Sequence, residues 1–286
     1  MELVHSAFYR FARIEDPSTL AHAITDTAKT ENLTGSILLA QEGINGGVAG
    51  AKNSVDRFEA HLRKHAEFAD LAFKRSRCDT PPYGRFKLNV GKRIVAFGHS
   101  ADAPFIPDRA TQVAPERWRE LLGESNVVVI DNRNSFEYRL GRFEGAVDPG
   151  VSHFSDFEAY IAANADDWRE KGTTVAMYCT GGIRCERVAP WMSSLGLKVA
   201  ELEGGILNYF ARMPDANREW KGECFVFDNR IALDTELRET ATTEADVYDS
   251  AADGQWRIER ARRLREAVVL STDARESSAE DLTPKH

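Results

Sequence analysis

The first third of the chain switches between two hydrophobic patterns, one typical of strands and one typical of helices. Short runs in which apolar and polar residues alternate predict strands at 5–11, 36–40, 46–49 and 71–75. Apolar residues recur at helical spacing at 18–29, with Ser18 at the N-cap position, and at 54–65. The resulting order βαββαβ predicts a ferredoxin-like α+β domain over residues 1–75.

The middle of the chain carries a different pattern, in which whole strands are apolar. Near-continuous apolar runs occupy 126–131, 174–178 and 197–202, with helical stretches between them. Strands that are buried on both faces of a parallel sheet have this composition, so we predict an α/β domain over residues 115–230. Prolines punctuate residues 76–114, which we predict to be an irregular connector between the two domains.

The hydrophobic pattern thins after residue 230. We predict that residues 231–286 form a helical, partly disordered tail. Five arginines recur there at helical spacing: Arg257, Arg260, Arg262, Arg263 and Arg265. We interpret them as a solvated helix face that pairs with acidic residues of the body, and contact with RNA is the alternative.

Composition limits the class of protein. A chain of 286 residues with 42% hydrophobic content can bury a substantial core, and its length suggests two domains. We find no apolar run of about 18 residues and no signal-like N-terminus, so we expect a cytoplasmic protein without a membrane partner. The four cysteines, at 78, 179, 185 and 224, form no CxxC pair. We therefore expect reduced thiols and no bound metal.

Charge is distributed unevenly along the chain. The net charge is −8, but residues 1–110 hold 15 Lys and Arg against 13 Asp and Glu, whereas residues 111–286 hold 22 against 32. One strip between positions 74 and 93 contains a single acidic residue and these basic ones: Lys74, Arg75, Arg77, Arg85, Lys87, Lys92 and Arg93. Such a strip either tracks RNA phosphates or forms a solvated face, and charge alone leaves both open.

The clearest chemical signal is a six-residue loop that follows the apolar run 174–178. It consists of Cys179, Thr180, Gly181, Gly182, Ile183 and Arg184. A cysteine that ends a strand and is followed by a glycine turn into a helix lies against helix N–H groups, which favour the thiolate. Arg184 either stabilises the anionic sulfur or a bound oxyanion, or forms a salt bridge with Glu186 or Asp131. Cys185 either resolves an oxidised or persulfidated Cys179 through a disulfide or points into the core.

Five sequence blocks, taken together, resemble one family. Residues 177–186 resemble the active-site loop of rhodanese-domain proteins, and the variant with two glycines and a second cysteine resembles bacterial tRNA uridine(34) hydroxylases. The other blocks lie at 40–46, 131–146, 202–206 and 220–228. They occur in the family's order and, with the strand 36–40 that leads into the first block, span residues 36 to 228.

The resemblance implies a fold and an activity. It implies an acylphosphatase-like (ferredoxin-like) N-terminal domain, a rhodanese domain, and an oxidoreductase that converts uridine 34 in the tRNA anticodon loop to 5-hydroxyuridine. Dioxygen is then a co-substrate, and we expect no bound cofactor and no DNA partner. Cys179 matches the active-site cysteine, a persulfide carrier by analogy with rhodaneses. By the same analogy Asp131 and Arg133 support the loop rather than react.

Three other functions compete with this interpretation. The loop alone predicts a sulfurtransferase that works through a Cys179 persulfide, although the block at 40–46 and the basic strip count against it. A cysteine phosphatase resembles a pattern with five residues between Cys and Arg, whereas Cys179 and Arg184 enclose four. A docking module usually lacks the cysteine. Of the remaining thiols, we interpret Cys224 as packed and Cys78 as incidental.

Overall fold

The N-terminal domain is a five-stranded sheet with two helices on one face. The structure is a computed structural model, and it describes residues 3–95, 97, 109–248, 254, 256, 258 and 259. Its elements are β1 (Leu3–Phe11), α1 (Pro17–Thr30), β2 (Thr34–Ala40), β3 (Gly43–Ala51), α2 (Lys52–Leu62), β4 (Phe73–Cys78) and β5 (Phe86–Val90). The strand order is β4-β1-β3-β2-β5. The predicted ferredoxin-like fold is confirmed, because the first four strands have its order and alternate with the two helices as βαββαβ.

The structure differs from the predicted boundaries at three places. The side chain of Asp16, not Ser18, caps α1 by accepting from the backbone N–H groups of Ser18 and Thr19. Our domain boundary at 75 cuts through β4, and the connector at 76–114, predicted to be irregular, contains β5, which pairs in parallel with β2. As an edge strand, β5 buries only Phe86 and Leu88 against the core, and this pattern is too short to stand out in the sequence.

Glycines 46 and 47 lie inside β3, which extends beyond the predicted strand at 46–49 on both sides. They pair with β1 on one side and with β2 on the other. A Cβ on Gly47 would lie 2.6 Å from the Tyr83 hydroxyl and 2.7 Å from the His5 ring. Because glycine has no side chain, the Tyr83 and His5 rings can lie directly over the sheet at this position. Gly47 therefore provides space for the two rings rather than conformational freedom.

The second domain is a four-stranded parallel sheet in the order β6-β10-β9-β7, as the apolar runs predict. Its elements are β6 (Gln112–Val113), α3 (Pro115–Leu121), β7 (Val127–Asp131), α4 (Ser135–Leu140), β8 (Gly141–Phe143), α5 (Phe157–Glu170), β9 (Thr174–Tyr178), α6 (Ile183–Ser194), β10 (Lys198–Leu202) and α7 (Gly205–Arg212). One apolar cluster packs around Trp118 and Tyr209, and another around Phe157 and Val188. Because these apolar clusters cover the sheet, the polar residues that could take part in a reaction lie at the carboxyl ends of its strands.

After the second domain the chain returns to the first. Between α7 and residue 248 the elements are β11 (Trp220–Gly222), β12 (Cys224–Phe225), β13 (Ala232–Leu233) and α8 (Glu244–Tyr248). The beginning of the predicted tail is thus packed, with Tyr248 against Phe136 and Phe225. Arginines 257, 260, 262, 263 and 265 lie outside the described residues. No helix in the described ranges is long and apolar enough to span a membrane.

A buried ion pair joins the returning chain to the N-terminal sheet. Arg230 donates two hydrogen bonds to the Asp228 carboxylate, at 2.8 and 2.7 Å. The same guanidinium donates to Ser76 Oγ at 2.6 Å and lies 3.1 Å from His5 Nδ1. Burial and the neighbouring Arg230 charge lower the pKa of His5 to about 3, so the ring is neutral and accepts this hydrogen bond.

Candidate active site

The loop after β9 wraps its backbone around the sulfur of Cys179. Gly182 has φ +100°, a left-handed conformation that side-chain-bearing residues rarely adopt, and its N–H donates to Cys179 Sγ at 3.1 Å. The carbonyl of Cys179 in turn accepts from the N–H of Ile206 at 3.0 Å, at the start of α7. The loop is therefore held from both sides, and Cys179 is 1% exposed.

Cys179 is acidic for a buried thiol. Burial alone would raise its pKa, but the Cys185 thiol, the Arg184 charge and the backbone N–H groups at the start of α6 together lower it to about 6. At neutral pH Cys179 is therefore mostly thiolate. Burial raises the pKa of Cys185 well above its usual range, so this residue stays a neutral donor to the sulfur beside it.

Arg184 is held by a carboxylate that neither of our two predicted salt bridges includes. Its guanidinium donates to both oxygens of Glu137, at 3.0 Å each, and not to Glu186 or Asp131. Glu137 is fully buried, and its position is set by the start of α4, where the N–H of Asn134 donates to it at 3.1 Å. The pair fixes the guanidinium next to the loop, where its charge still favours the Cys179 thiolate.

Asp131 and Arg133 form a second, completely buried ion pair beneath the loop. Arg133 donates to the two Asp131 oxygens at 2.8 and 2.6 Å and to the carbonyl of Gly141 at 2.6 Å. The Tyr178 hydroxyl donates to the same carboxylate at 2.7 Å. The pair and the Tyr178 hydroxyl tie the end of β7 to the end of β9, and the role as loop support that the resemblance implies stays a prediction.

The N-terminal domain reaches the loop with two side chains of its sheet. The Lys74 ammonium donates to the carbonyl oxygen of Gly181 at 2.8 Å and lies 5.0 Å above the Tyr9 ring. The Tyr9 hydroxyl donates to Glu186 at 2.8 Å. Burial lowers the pKa of Lys74 to about 8, so the ammonium is mostly charged at neutral pH. Both domains therefore shape the environment of Cys179.

The block at 40–46 makes the neighbouring contact between domains. Glu42 accepts from the N–H of Ile94 at 2.8 Å with one oxygen and from Arg187 of α6 at 3.1 Å with the other. Asn45 donates to the carbonyl of the same Ile94 at 3.1 Å. These contacts explain why a carboxylate and an amide occur so close together in this block, because both bind the backbone of Ile94 and the carboxylate also binds α6.

Comparison with known proteins assigns each of the two domains to a family of domains. A profile described as "UPF0176 acylphosphatase like domain" matches residues 3–94, and one described as "Rhodanese-like domain" matches residues 114–212. A protein named "tRNA uridine(34) hydroxylase" from Legionella pneumophila (strain Corby) is 37% identical over 237 residues, covering 82% of this chain and 92% of the relative. This chain belongs to the tRNA uridine(34) hydroxylase family. Proteins of the same name from Bradyrhizobium diazoefficiens and Jannaschia sp. are each 40% identical, over 82% of this chain and 92% and 77% of their own.

In this member of the tRNA uridine(34) hydroxylase family some residues of the predicted basic strip make contacts within the protein and others are exposed. Lys74 holds the loop, Arg75 pairs with Glu59 and Asp56, and Arg93 donates to the carbonyl of Phe97 at 3.2 Å. Arg77 lies 3.9 Å from Asp79. The other three cations of the strip, Arg85, Lys87 and Lys92, are also exposed.

Sequence reasoning missed Glu137, Tyr9 and the loop-binding role of Lys74. Glu137 stands in the block at 131–146, so its place in that block was the available signal. No described group of three or more His, Cys, Asp or Glu residues is arranged to hold a metal ion. The described residues around Cys179 are hydrogen-bond donors and buried ion pairs.

We expect alkylation of Cys179 by iodoacetamide to accelerate as pH rises through about 6, because only the thiolate reacts and its pKa is about 6. Lys74→Met should move the midpoint to higher pH, since the Lys74 and Cys179 charges attract each other. Mass spectrometry of the labelled peptide gives the rate. Lys74→Arg and the distant Lys87→Met should keep the wild-type midpoint, and a wild-type midpoint near 9 would contradict the electrostatics described here.

Proposed function

We propose that this protein hydroxylates uridine 34 of tRNA to 5-hydroxyuridine, with dioxygen as co-substrate and Cys179 as the reactive group. The observation that carries the proposal is the extent of the family match, which covers both domains and 92% of the Legionella relative. The rhodanese domain alone would support sulfur transfer equally well. Contacts of Lys74 and Tyr9 with the loop and its helix add support, because they make the N-terminal domain part of the site.

The proposed reaction needs an electron donor. One oxygen atom enters the C5–H bond of uridine, and the other leaves as water after taking up two electrons and two protons from a reductant of unknown identity. Cys179 supplies a sulfur that is anionic at neutral pH, either as thiolate or as a persulfide. Arg184 and the loop N–H groups stabilise negative charge on that sulfur.

The exposed Lys87, which lies on the same face of the N-terminal sheet as Lys74, supports RNA as the substrate. Lys74, Ala7, Gly47, Ser36 and Lys87 are neighbours in register and therefore share one face, opposite the helices. Four strand spacings of about 4.8 Å place Lys87 about 19 Å from Lys74. The rings of His5 and Tyr83 cover the sheet between the two lysines at Gly47, so Lys87 offers a phosphate contact at this distance from the loop.

We expect the triple variant Arg85→Ala, Lys87→Ala, Lys92→Ala to weaken tRNA binding and to flatten its dependence on salt. For every phosphate that the variant no longer neutralises, the log–log salt slope should fall by about 0.7 to 0.9. Filter binding over a salt series measures both quantities. Lys171→Ala, an exposed lysine of the second domain, is the control, and an unchanged slope in the triple variant would remove these cations from the interface.

Oxygen labelling tests the proposed function directly. A strain that lacks the protein is complemented with the wild-type chain and grown under ¹⁸O₂, and its tRNA nucleosides are analysed by mass spectrometry. Restoration of 5-hydroxyuridine-derived bases carrying ¹⁸O supports the proposal. Restoration with unlabelled oxygen contradicts the use of dioxygen, and no restoration contradicts hydroxylation.

A rhodanese-type sulfurtransferase is the second candidate, and the acidity of Cys179 favours it as well. In that reaction the thiolate takes a sulfane sulfur from thiosulfate, releasing sulfite, and passes it to a thiophilic acceptor such as cyanide. An assay with these two reagents distinguishes the candidates. Sulfur transfer by a protein that leaves tRNA unchanged would favour this function over hydroxylation.

A further inference from the structure

Phe227 is a large apolar side chain that the fold exposes. It is 62% exposed, whereas Phe225 is 3% and Val226 is 5% exposed. Asp228, on its other side, is buried in the ion pair with Arg230. An isolated exposed apolar residue needs no explanation by itself, so the surroundings of the ring decide its meaning.

The backbone on both sides of Phe227 is fixed. The N–H of Val226 donates to the carbonyl of Ile231 at 2.9 Å, and the N–H of Ile231 donates to the carbonyl of Asp228 at 3.1 Å. These bonds close a turn that the buried Asp228–Arg230 pair anchors to the N-terminal sheet. The ring is therefore presented by an anchored turn, with little conformational entropy left to lose on binding.

The ring lies next to the catalytic loop. The Arg184 guanidinium carbon is 5.5 Å from the Phe227 ring centroid, and the edge contact with Phe225 has a centroid distance of 4.9 Å. Arg184 pairs on its other side with Glu137 and acts electrostatically on Cys179. From the interior outward, the groups are therefore the Glu137 carboxylate, the Arg184 guanidinium and the solvent-exposed Phe227 ring.

We propose that Phe227 is a stacking platform for an unpaired nucleobase of the RNA substrate, beside the loop that holds Cys179. This inference rests on the proposed function, since it assigns a contact to the same substrate. Proteins that take up single-stranded or loop nucleotides stack bases on exposed aromatic rings, and an adjacent guanidinium strengthens such a stack. Uridine 34 belongs to the single-stranded anticodon loop, whose bases can be splayed out onto such a ring.

A second role for the same ring is to shield the Arg184–Glu137 pair from water. Shielding needs an apolar side chain of similar volume, whereas stacking needs a flat π face. Phe227→Leu therefore separates the two roles, because leucine keeps the volume and loses the face. Phe227→Tyr keeps both and is the conservative control.

The test uses the full chain and an anticodon stem-loop with 2-aminopurine at the position after uridine 34. We expect wild type and Phe227→Tyr to quench the fluorophore on binding. Phe227→Leu should bind about 5- to 150-fold more weakly, the usual effect of removing one base stack. The pH midpoint of Cys179 alkylation should stay at its wild-type value in Phe227→Leu, because Arg184 and Glu137 remain.

The outcomes separate this inference from the proposed function. Wild-type affinity and quenching in Phe227→Leu, with normal hydroxylation by the wild type, would overturn the stacking role and leave the function standing. Unchanged RNA affinity in Phe227→Leu, together with a shifted alkylation midpoint in Phe227→Ala, which removes the volume as well, would assign the shielding role instead. If the wild type neither binds the stem-loop nor modifies tRNA, the proposed function fails, and the stacking role fails with it.

Discussion

Cys179→Ser should reduce formation of 5-hydroxyuridine by at least about 1,000-fold, as expected when the reactive nucleophile of a site is removed. The serine hydroxyl fits the same space and can accept the same N–H of Gly182. It is not ionised at neutral pH and cannot carry a sulfane sulfur, so neither form of the proposed sulfur chemistry survives. Nucleoside mass spectrometry of tRNA from a complemented deletion strain measures the loss.

Cys78→Ser is the matched control for that experiment. Cys78 ends β4, and burial raises its pKa to about 11, so it is an unreactive thiol in the same chain. We expect this variant to restore the modified base fully. Wild-type levels of product with Cys179→Ser, in a protein that melts like the wild type, would remove the cysteine from the mechanism while leaving the fold and the family intact.

Arg133→Met should destabilise the protein by about 3 to 5 kcal/mol, the usual effect of removing one partner of a buried ion pair. Asp131 would keep its place at 0% exposure without the two hydrogen bonds that Arg133 donates. Burial already raises the pKa of Asp131 and Arg133 counteracts it, so without the guanidinium the carboxyl group must take up a proton or remain an unpaired charge. Urea unfolding followed by circular dichroism measures the change.

Two further variants make that result specific to the buried charge. The double variant Asp131→Asn, Arg133→Met removes both charges and should recover part of the stability that the single variant lacks. Arg117→Met breaks an exposed pair with Glu120 on α3 and should leave the unfolding midpoint unchanged. If Arg133→Met unfolds at the same urea concentration as Arg117→Met, the buried pair does not stabilise the domain.

The parts of the fold that were predictable are those whose signal lies within a short stretch of sequence. The three apolar strands of the second domain and the loop at Cys179 are of this kind, because burial on both faces and a glycine turn leave local marks. The edge strand β5 was missed because a single sheet neighbour requires few apolar residues.

The site was less predictable, because its contacts join distant segments. Lys74 and Gly181 are 107 positions apart, and a count of charges cannot tell a lysine that binds a loop carbonyl from one that faces solvent. The partner of Arg184 depends on the direction in which α4 leaves β7, which brings Glu137 to the loop from 47 positions away. Tertiary packing decides such pairs, and composition does not.

The contacts of Lys74, Glu42 and Arg230 between the two halves also limit how this protein can be divided. An excised rhodanese domain would keep Cys179 and its glycine turn, but it would lack the ammonium at Gly181, the Glu42 carboxylate that binds Arg187, and the contacts of Arg230 with Ser76 and His5. The fragment could fold and still hold a less acidic cysteine. The rhodanese domain contains the recognisable loop, but the environment of Cys179 also requires the N-terminal domain. The two domains of this protein therefore cannot be separated without changing the site.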